Sequence, residues 1–267
     1  MNKKKNISIS ILITNYNKYK YLNKSLSYAT SQNYNNYEVI LFDDYSTDQS
    51  IDLIKKYKKI KLIKNKKEKI PSAPLLNQNN AIVEAFKASR GDLICLMDAD
   101  DVFFKKKLYY INNFFLKNKN KNFVVNEPES KNIKFKYEIK NKSKHKWSYV
   151  FPTSCVSFRR NFFKKFLKYS RFKEFKNLGI DARLIMFAKY YCNDFNIIKK
   201  KLNTYTFDKK GNYSNYTHLG INWWISRNEA FEYLKYILNV RRIKFKKNID
   251  YYLTKLIYYF LKDKITS

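Results

Sequence analysis

The chain has 267 residues, of which 45% are hydrophobic and 18% aromatic, and its formal net charge is +33. This composition excludes an intrinsically disordered chain, and the length suffices for one large domain with an apolar core. No apolar run approaches the ~18 residues that span a bilayer. Three cysteines without paired spacing indicate reduced thiols. We therefore expect a cytoplasmic protein.

The first half of the chain alternates between apolar runs and helical patterns. Strands are predicted at residues 7–13, 38–42, 60–63 and 93–97. Amphipathic helices are predicted at residues 19–31 and 80–89, and a further helix carries Ile51, Ile54 and Tyr57, with Ser46 or Thr47 as its cap. Alternation of this kind predicts an α/β fold with a mostly parallel sheet flanked by helices.

The second half is more basic, with 32 Lys and Arg against 9 Asp and Glu over residues 131–267. Pro152 places one of its predicted strands at a sheet edge, because proline cannot donate a ladder hydrogen bond. The predicted elements are a helix carrying Leu108, Ile111 and Phe115, a strand at 123–125, a polar loop or weak hairpin at 126–146, a strand at 150–158, helices at 160–169 and 182–191, and a tail of two helices.

Carboxylates follow two of the predicted strands. Asp43 and Asp44 follow the second strand, and Asp98, Asp100 and Asp101 follow the fourth. In an extended segment Asp98 and Asp100 would point to the same side. Ligands of open α/β sheets bind beyond such strand ends, and oxygen ligands there suit Mg²⁺ or Mn²⁺ together with a phosphorylated substrate. The alternative is an acidic turn that only caps the next helix.

Four glycines in the whole chain cannot build either of the common glycine-rich phosphate loops. Neither G-x-G-x-x-G nor G-x-x-x-x-G-K-[ST] occurs, so Rossmann dinucleotide binding and P-loop nucleotide hydrolysis are excluded. A sugar-nucleotide nucleotidyltransferase is disfavoured for a similar reason, since that class normally has a glycine-rich loop after its first strand.

Four segments, in this order, resemble the family 2 glycosyltransferases, which have the GT-A fold. They are ILITNYN at residues 11–17, YEVILFDDYSTD at 37–48, RGDLICLMDADD at 90–101 and GIDARL at 179–184. The resemblance implies inverting transfer of a sugar from a nucleotide-diphosphate donor, most often a UDP-sugar. The acceptor would be a hydroxyl of a glycan or of a lipid-linked molecule, and the cofactor Mn²⁺ or Mg²⁺.

Carried over by position, the resemblance assigns a role to individual residues. Thr14 and Tyr16 would lie along the nucleotide, Asp44 or Asp43 would read the base, Asp98 would contact the ribose or the metal, Asp100 and Asp101 would hold the metal, Asp181 would be the general base, and His218 is a further candidate metal ligand. For Asp181 the alternative is a cap or first-turn residue of a helix, and for His218 a structural place in an aromatic loop.

The sequence departs from the family pattern at two informative places. Tyr45 stands where glycine is usual, so the turn after the second strand must accommodate a bulky side chain. The Q-x-x-R-W element is absent, which favours single sugar addition over polymerisation. The resemblance implies a GT-A domain at residues 1–220, divided into a nucleotide-sugar-binding half at 1–125 and an acceptor half at 126–220, and a basic, aromatic helical tail at 221–267.

The charge of +33 supports an alternative function, a basic protein that binds nucleic acid or membrane without catalysis. No nucleic-acid recognition motif is present, so we expect no nucleic-acid partner, and the intact carboxylates disfavour an inactive relative. For the tail two interpretations stay open. Its helices pack on the core and expose their lysines, or they make peripheral contact with anionic lipid on the inner face of the membrane.

Overall fold

The computed structural model describes residues 6–66, 70, 73–130, 151–206 and 219–261. His218 and residues 131–146 of the predicted loop lie outside these ranges. Of the predicted loop at 126–146, residues 126–129 belong to a strand instead.

Seven strands of the described residues form one mixed sheet. They are β1 (Ile9–Asn15), β2 (Tyr37–Asp43), β3 (Ile60–Lys64), β4 (Leu93–Asp98), β5 (Phe123–Glu129), β6 (Val156–Arg159) and β7 (Ile197–Thr204), in the order β3-β2-β1-β4-β6-β5-β7. The first four strands pair in parallel, β6 is antiparallel to β4 and β5, and β5 is parallel to β7. The prediction of a mostly parallel sheet flanked by helices is confirmed.

The helices lie between the strands and after them. They are α1 (Tyr19–Ala29), α2 (Ser50–Lys55), α3 (Pro74–Ala88), α4 (Lys107–Lys117), α5 (Arg160–Leu167), α6 (Ile180–Met186), α7 (Ile221–Val240) and α8 (Ile249–Leu261). A 3₁₀ turn at Thr153–Cys155 precedes β6, and a π-helical segment at Phe187–Tyr191 continues α6.

Two apolar clusters cover the two faces of the sheet, because side chains alternate along each strand. Along β1, Leu12 belongs to one cluster, whereas Ile11 and Ile13 belong to the other. The first cluster packs under α3, α5, α6 and α7, and the second under α1 and α4. Strands covered on both faces read as continuous apolar runs in the sequence.

Gly91 allows the turn into β4 to cross β1 at close range. A Cβ atom at this position would lie 2.5 Å from the backbone nitrogen of Ser10 and 2.7 Å from the carbonyl carbon of Ile9. The Gly91 N–H donates to Ser10 Oγ at 2.8 Å. This close approach brings the start of β4 into register with β1, with Leu93 opposite Ile9.

Two predictions about the middle of the chain are wrong. The strand predicted at residues 150–158 begins only at Val156, since residues 153–155 form a 3₁₀ turn, and it lies between β4 and β5 rather than at an edge. Pro152 precedes the strand, so its missing N–H removes no ladder hydrogen bond. β7 forms the second edge of the sheet, and no strand was predicted for its residues.

The predicted cap of α2 is also wrong. The helix begins at Ser50, and neither Ser46 nor Thr47 caps it. Ser46 instead donates its hydroxyl to the Asp43 carboxylate at 2.7 Å, and Asp48 accepts a hydrogen bond from the Ser50 N–H at 3.0 Å. The serine therefore shapes the loop after β2, and the acidic residue stabilises the start of the helix.

The tail contains the two predicted helices, and they differ in burial. α7 contributes Tyr233, Leu234 and Ile237 to the same apolar cluster as the sheet. In α8, by contrast, only Tyr251 and Thr254 are buried. Among the described residues, we find no helix with both the length and the apolar character required to cross a bilayer.

Candidate active site at the carboxyl ends of three strands

The parallel register brings the ends of β1, β2 and β4 together at one edge of the sheet. Thr14 lies opposite Asp98 on one side and opposite Phe42 on the other, and Asn15 lies opposite Asp43. The acidic residues that follow β2 and β4 in the sequence therefore flank the end of β1 on both sides. This is the position at which parallel α/β sheets bind ligands.

Asp43 is held by the loop that follows it. Its carboxylate accepts hydrogen bonds from the side-chain amide of Asn15 at 2.7 Å, from the Ser46 N–H at 2.9 Å and from the Ser46 hydroxyl at 2.7 Å. Both carboxylate oxygens are engaged in these contacts, and the side chain is buried. Asp43 thus orders the loop between β2 and α2.

Asp44 has a different environment from its neighbour. Its N–H donates to the Asn15 carbonyl at 2.8 Å, and Asn65 donates to its carboxylate, also at 2.8 Å. The next residue, Tyr45, has φ of +66° and a side chain that is 43% exposed. The prediction that this turn accommodates a bulky residue in place of glycine is confirmed, at the cost of a left-handed backbone conformation.

Four carboxyl groups interact electrostatically beyond the end of β4. Burial and the charges of Asp100 and Asp181 raise the pKa of Asp98 to about 7. Burial and the charges of Asp100 and Asp98 raise the pKa of Asp101 well above its usual range. The helical residue Asp181 is therefore close enough to Asp98 to influence its protonation, although the two residues lie far apart in the sequence.

Lysine and glutamine side chains hold two of these carboxylates. Lys18 Nζ lies 2.7 Å from Asp100 Oδ2, and both side chains are largely buried. Gln78, on α3, donates to Asp98 Oδ1 at 2.7 Å. Asp98 is thereby oriented by a residue of α3, and Asp100 by the residue that precedes α1.

The prediction that Asp98 and Asp100 share one side of an extended segment is wrong. β4 ends at Asp98, and residues 99–100 form a turn, in which the Asp101 N–H donates to the Asp98 carbonyl at 3.1 Å. The two carboxylates are near each other because the chain turns back, and Asp101 is directed inward, where it is 1% exposed.

Ser154, in the 3₁₀ turn before β6, connects two of the acidic residues. Its hydroxyl accepts a hydrogen bond from the Asp98 N–H at 3.0 Å and hydrogen-bonds the Asp101 carboxyl, which lowers the pKa of Asp101 against the effect of burial. Asp101 Oδ1 also accepts from the Thr206 N–H at 2.8 Å. Asp101 thus bridges the end of β4 and the segment after β7.

Lys107 supports Ser154 from inside the protein. Its ammonium donates to the Ser154 carbonyl at 2.5 Å, to Asn126 Oδ1 at 2.8 Å and to Asn203 Oδ1 at 3.2 Å, and it lies 4.0 Å from the centre of the Phe103 ring. Burial lowers the pKa of Lys107 to about 8. A fully buried cation with three acceptors fixes α4, β5, β7 and the 3₁₀ turn relative to one another.

Asp181 lies in the first turn of α6, whose N-cap is Gly179. Its carboxylate accepts a hydrogen bond from the Ala182 N–H at 2.8 Å, and its side chain is buried. Asn79 of α3 donates to the Leu178 carbonyl at 3.2 Å and thereby fixes the start of α6. Asp181 therefore interacts with the positive end of the helix and is directed toward the strand-end carboxylates.

The donor set fits a divalent cation, although the described residues hold no cluster of three or more His, Cys, Asp or Glu side chains in a metal-binding arrangement. Asp101 Oδ2 is buried and has no hydrogen-bond partner among those residues. Hard oxygen donors that raise one another's pKa favour a cation between them. Mg²⁺ commonly uses one or two carboxylates and completes its shell with water and substrate phosphates, so three protein ligands are not required.

Four residues of this site were not predicted from the sequence: Lys18, Gln78, Ser154 and Tyr205. Lys18 directly follows the motif at the end of β1, which was a usable signal. Burial raises the pKa of Tyr205, as do the charges of Asp101, Asp98, Asp181 and Asp100, so this side chain is within electrostatic reach of all four carboxyl groups. Nothing in the sequence around Ser154 or Tyr205 indicates a site, because tertiary contacts alone bring them to β4.

Residues 10–172 match the family described as Glycosyl transferase family 2. An uncharacterized glycosyltransferase from Haemophilus influenzae is 37% identical over 112 residues, which is 41% of this chain and 43% of that protein. The poly(ribitol-phosphate) beta-N-acetylglucosaminyltransferase TarS of Staphylococcus aureus is 29% identical over 105 residues, or 38% of this chain and 18% of that protein. The chain thus spans less than half the length of these relatives.

Solved structures share the fold over nearly the whole chain. S. aureus TarS 1-349 in complex with UDP-GlcNAc superimposes with a TM-score of 0.65 at 15% identity, covering 94% of this chain and 70% of that one. The mannosyltransferase PcManGT from Pyrobaculum calidifontis, in complex with GDP-Man and Mn²⁺, has a TM-score of 0.61 at 12% identity, covering 96% and 70%. The predicted GT-A architecture is confirmed.

Proposed function

The chain belongs to glycosyl transferase family 2, and on this premise we propose that it transfers a sugar from a nucleotide-diphosphate donor, a UDP-sugar, to an acceptor hydroxyl with inversion. The observation that carries the proposal is the convergence of Asp98, Asp100, Asp101 and Asp181 at the carboxyl ends of the parallel strands. A site with these groups can bind a phosphorylated donor through a cation and accept a proton from an attacking hydroxyl.

The nucleotide part of the donor occupies the edge formed by β1 and β2. Thr14 and Tyr16 lie along it, and Tyr16 is 41% exposed and accessible to a ligand. Between the two candidates for base recognition we favour Asp44, because loop contacts engage both oxygens of Asp43. Asp98 contacts the ribose, with Gln78 holding its carboxylate in place.

Mn²⁺ or Mg²⁺ would be held by Asp100 and Asp101, with His218 as a further candidate ligand. When bound there, the cation would stabilise the negative charge that develops on the leaving diphosphate. Lys18 Nζ lies 2.7 Å from Asp100 and places a protein cation at the same end of the site. The orphaned oxygen of Asp101 supports the assignment of this residue to the metal.

Asp181 acts as the general base. The acceptor oxygen attacks the anomeric carbon while the bond from that carbon to the diphosphate breaks, and the hydroxyl proton passes to the Asp181 carboxylate. One displacement with one base inverts the anomeric centre, whereas retention by double displacement would need a carboxylate nucleophile on the opposite face. The first turn of α6 holds the base toward the strand ends.

The acceptor is a hydroxyl of a glycan or of a lipid-linked molecule, and a single sugar is added. The net charge of +33 favours an acceptor that carries negative charge. We assign the activity to the cytoplasm. The same charge motivates the alternative of a non-catalytic basic protein that binds nucleic acid or membrane. A measurement of nucleotide binding distinguishes the two functions, because the transferase requires it.

Asp181→Asn tests the proposed chemistry. We expect this variant to bind UDP as the wild type does and to lose transfer, measured as UDP release from a panel of UDP-sugars with glycan acceptors. Asp194→Asn is the matched control, because Asp194 is also buried but accepts hydrogen bonds from Asn196 and from Asn122, which precedes β5 at the end of the sheet opposite the strand-end carboxylates. Full transfer by Asp181→Asn would exclude Asp181 as the base, and a retained anomeric configuration would exclude the mechanism.

A further inference from the structure

One face of α8 exposes large apolar side chains. Five of them are between 47% and 87% exposed: Ile249, Tyr252, Leu253, Leu256 and Phe260. At 3.6 residues per turn these positions fall within an arc of roughly 100°, and no charged residue of α8 (Ile249–Leu261) lies inside it. We refer to these five residues as the outer stripe. Contiguous exposed apolar surface of this kind marks an interaction site.

The opposite side of α8 is docked firmly on α7, so the direction of the outer stripe is set by specific contacts. Arg227 donates to the Asp250 carboxylate and, at 3.2 Å, to the Thr254 hydroxyl. Lys255 Nζ lies 2.7 Å from both Glu232 Oε1 and Asn228 Oδ1. These polar contacts, together with buried Tyr251, hold the stripe facing away from α7.

A basic segment precedes α8. Residues 241–247 contain five Lys or Arg and no acidic residue, and all five cations are exposed. Ile243 is also 43% exposed, whereas Phe245 packs against Phe231 and Tyr251 and anchors the segment to the two helices. Lys247 Nζ lies 5.9 Å from the ring centre of Tyr252, so the cations adjoin the outer stripe directly.

We propose that the outer stripe and the basic segment together form a docking surface for an anionic lipid bilayer. α8 lies along the surface with its stripe among the acyl chains, while the cations of residues 241–247 contact the lipid phosphates. A second copy of the chain fits this surface poorly, because it would bring the same basic segment and another net charge of +33 against it.

The docking surface is connected to the candidate active site through α7. Glu229 of α7 accepts hydrogen bonds from the N–H and the side-chain amide of Asn177, both at 2.7 Å. Asn177 stands immediately before the turn that begins α6 and carries Asp181. A bilayer at α8 would therefore bring lipid-linked acceptors to the side of the molecule that holds the general base, and this last step rests on the proposed function.

Vesicle sedimentation with the full chain tests the docking surface. We expect binding to vesicles of 30% phosphatidylglycerol in phosphatidylcholine at 0.1 M salt, and no binding to phosphatidylcholine alone. Phe260→Glu should weaken binding at least tenfold. Tyr109→Glu is the matched control: it replaces an aromatic residue that is 45% exposed on α4 and makes the same change in net charge, and its binding should stay within twofold.

Three results would overturn the proposal. They are the absence of binding to anionic vesicles, equal losses in the two variants, which would indicate net charge alone, and a dimer by light scattering that Phe260→Glu dissociates, which would assign the stripe to a second copy. Titration of UDP into the same preparations separates this proposal from the catalytic one. Vesicle binding without UDP binding would refute the proposed function and support the docking surface. UDP binding without vesicle binding would refute the docking surface and support the proposed function.

Discussion

Ser154→Ala is expected to weaken the candidate active site, although Ser154 is assigned no contact with the nucleotide-sugar or the cation. The substitution removes one oxygen atom from a fully buried site and adds no bulk. The Asp98 N–H then loses its acceptor, which lies at 3.0 Å, and the Asp101 carboxyl loses a hydroxyl donor. The two residues affected are those at which β4 ends and its turn begins.

The magnitude follows from these two contacts. A buried N–H without an acceptor costs about 1–3 kcal/mol, and a net hydrogen bond contributes about 1 kcal/mol, so the free energy of unfolding should fall by about 2 kcal/mol or more. We take the loss of orientation at the Asp98 and Asp101 carboxylates to cost ligand binding about 1.4 kcal/mol, which corresponds to a tenfold weaker affinity. We therefore expect UDP affinity in the presence of Mn²⁺ to fall about tenfold.

Ser157→Ala is the matched control for this experiment. Ser157 is buried in the adjoining strand β6, and its hydroxyl donates to the Cys95 thiol at 3.3 Å, a weak contact remote from the carboxylates. Urea denaturation gives the stability of both variants, and calorimetric titration gives their UDP affinity. If Ser154→Ala lowers stability but binds UDP like Ser157→Ala, then Ser154 is structural only and its role in positioning Asp98 and Asp101 is refuted.

Two further predictions concern the core that supports the site. The pKa of Lys107 is about 8 in the folded state against a usual 10.5, so from pH 8 upward the unfolded state binds more protons at this group and its contribution to stability rises with pH. Relative to Lys107→Met, the wild type should gain about 2 kcal/mol by pH 9.5 in urea denaturation, and a constant difference between pH 7 and 9.5 would contradict the lowered pKa. Gly91→Ala should lower the free energy of unfolding by about 1–3 kcal/mol, because its Cβ would meet backbone atoms of Ser10 and Ile9. An unchanged urea midpoint would contradict this prediction, because it would mean that β1 and β4 accommodate the added Cβ without loss of stability.

The central strands and their acidic ends were predictable because their signals are local. β1, β2 and β4 are covered on both faces, so each is a continuous apolar run that stops at polar residues. Parallel pairing then places those ends side by side without further information. Only the family resemblance identified Asp181 as a site residue. It lies far from these strands in the sequence, yet its charge raises the pKa of Asp98.

The remaining elements depend on contacts that the sequence does not reveal. β7 carries three consecutive exposed lysines, Lys199 to Lys201, and is a strand because its backbone pairs with β5. Such charges are typical of sheet edges, where they hinder pairing with other chains. The role of Ser154 becomes visible only when the 3₁₀ turn is seen packed against β4. Lys107 interrupts the apolar pattern of α4 because it donates to this same turn inside the protein.

The order of the chain around residue 100 explains one further error. A purely extended reading predicts Asp98 and Asp100 on the same side, but the apolar run ends at Met97 and the chain turns immediately after Asp98. Because of this turn, the three carboxylates have different partners. Gln78 donates to Asp98, Lys18 pairs with Asp100, and Thr206 and Ser154 hydrogen-bond Asp101. Four segments that are separate in the sequence therefore orient three neighbouring acidic residues.

Calorimetric titration of UDP, with and without Mn²⁺, tests the central claim most directly. The account predicts saturable binding that requires Mn²⁺ in the wild type, is lost in Asp100→Asn, and persists in Asp92→Asn, which removes an exposed carboxylate at the opposite end of β4. Binding that is independent of both Mn²⁺ and Asp100 would contradict the assigned metal site. Absence of binding to UDP, GDP and dTDP alike would contradict the donor site altogether and favour the basic binding protein.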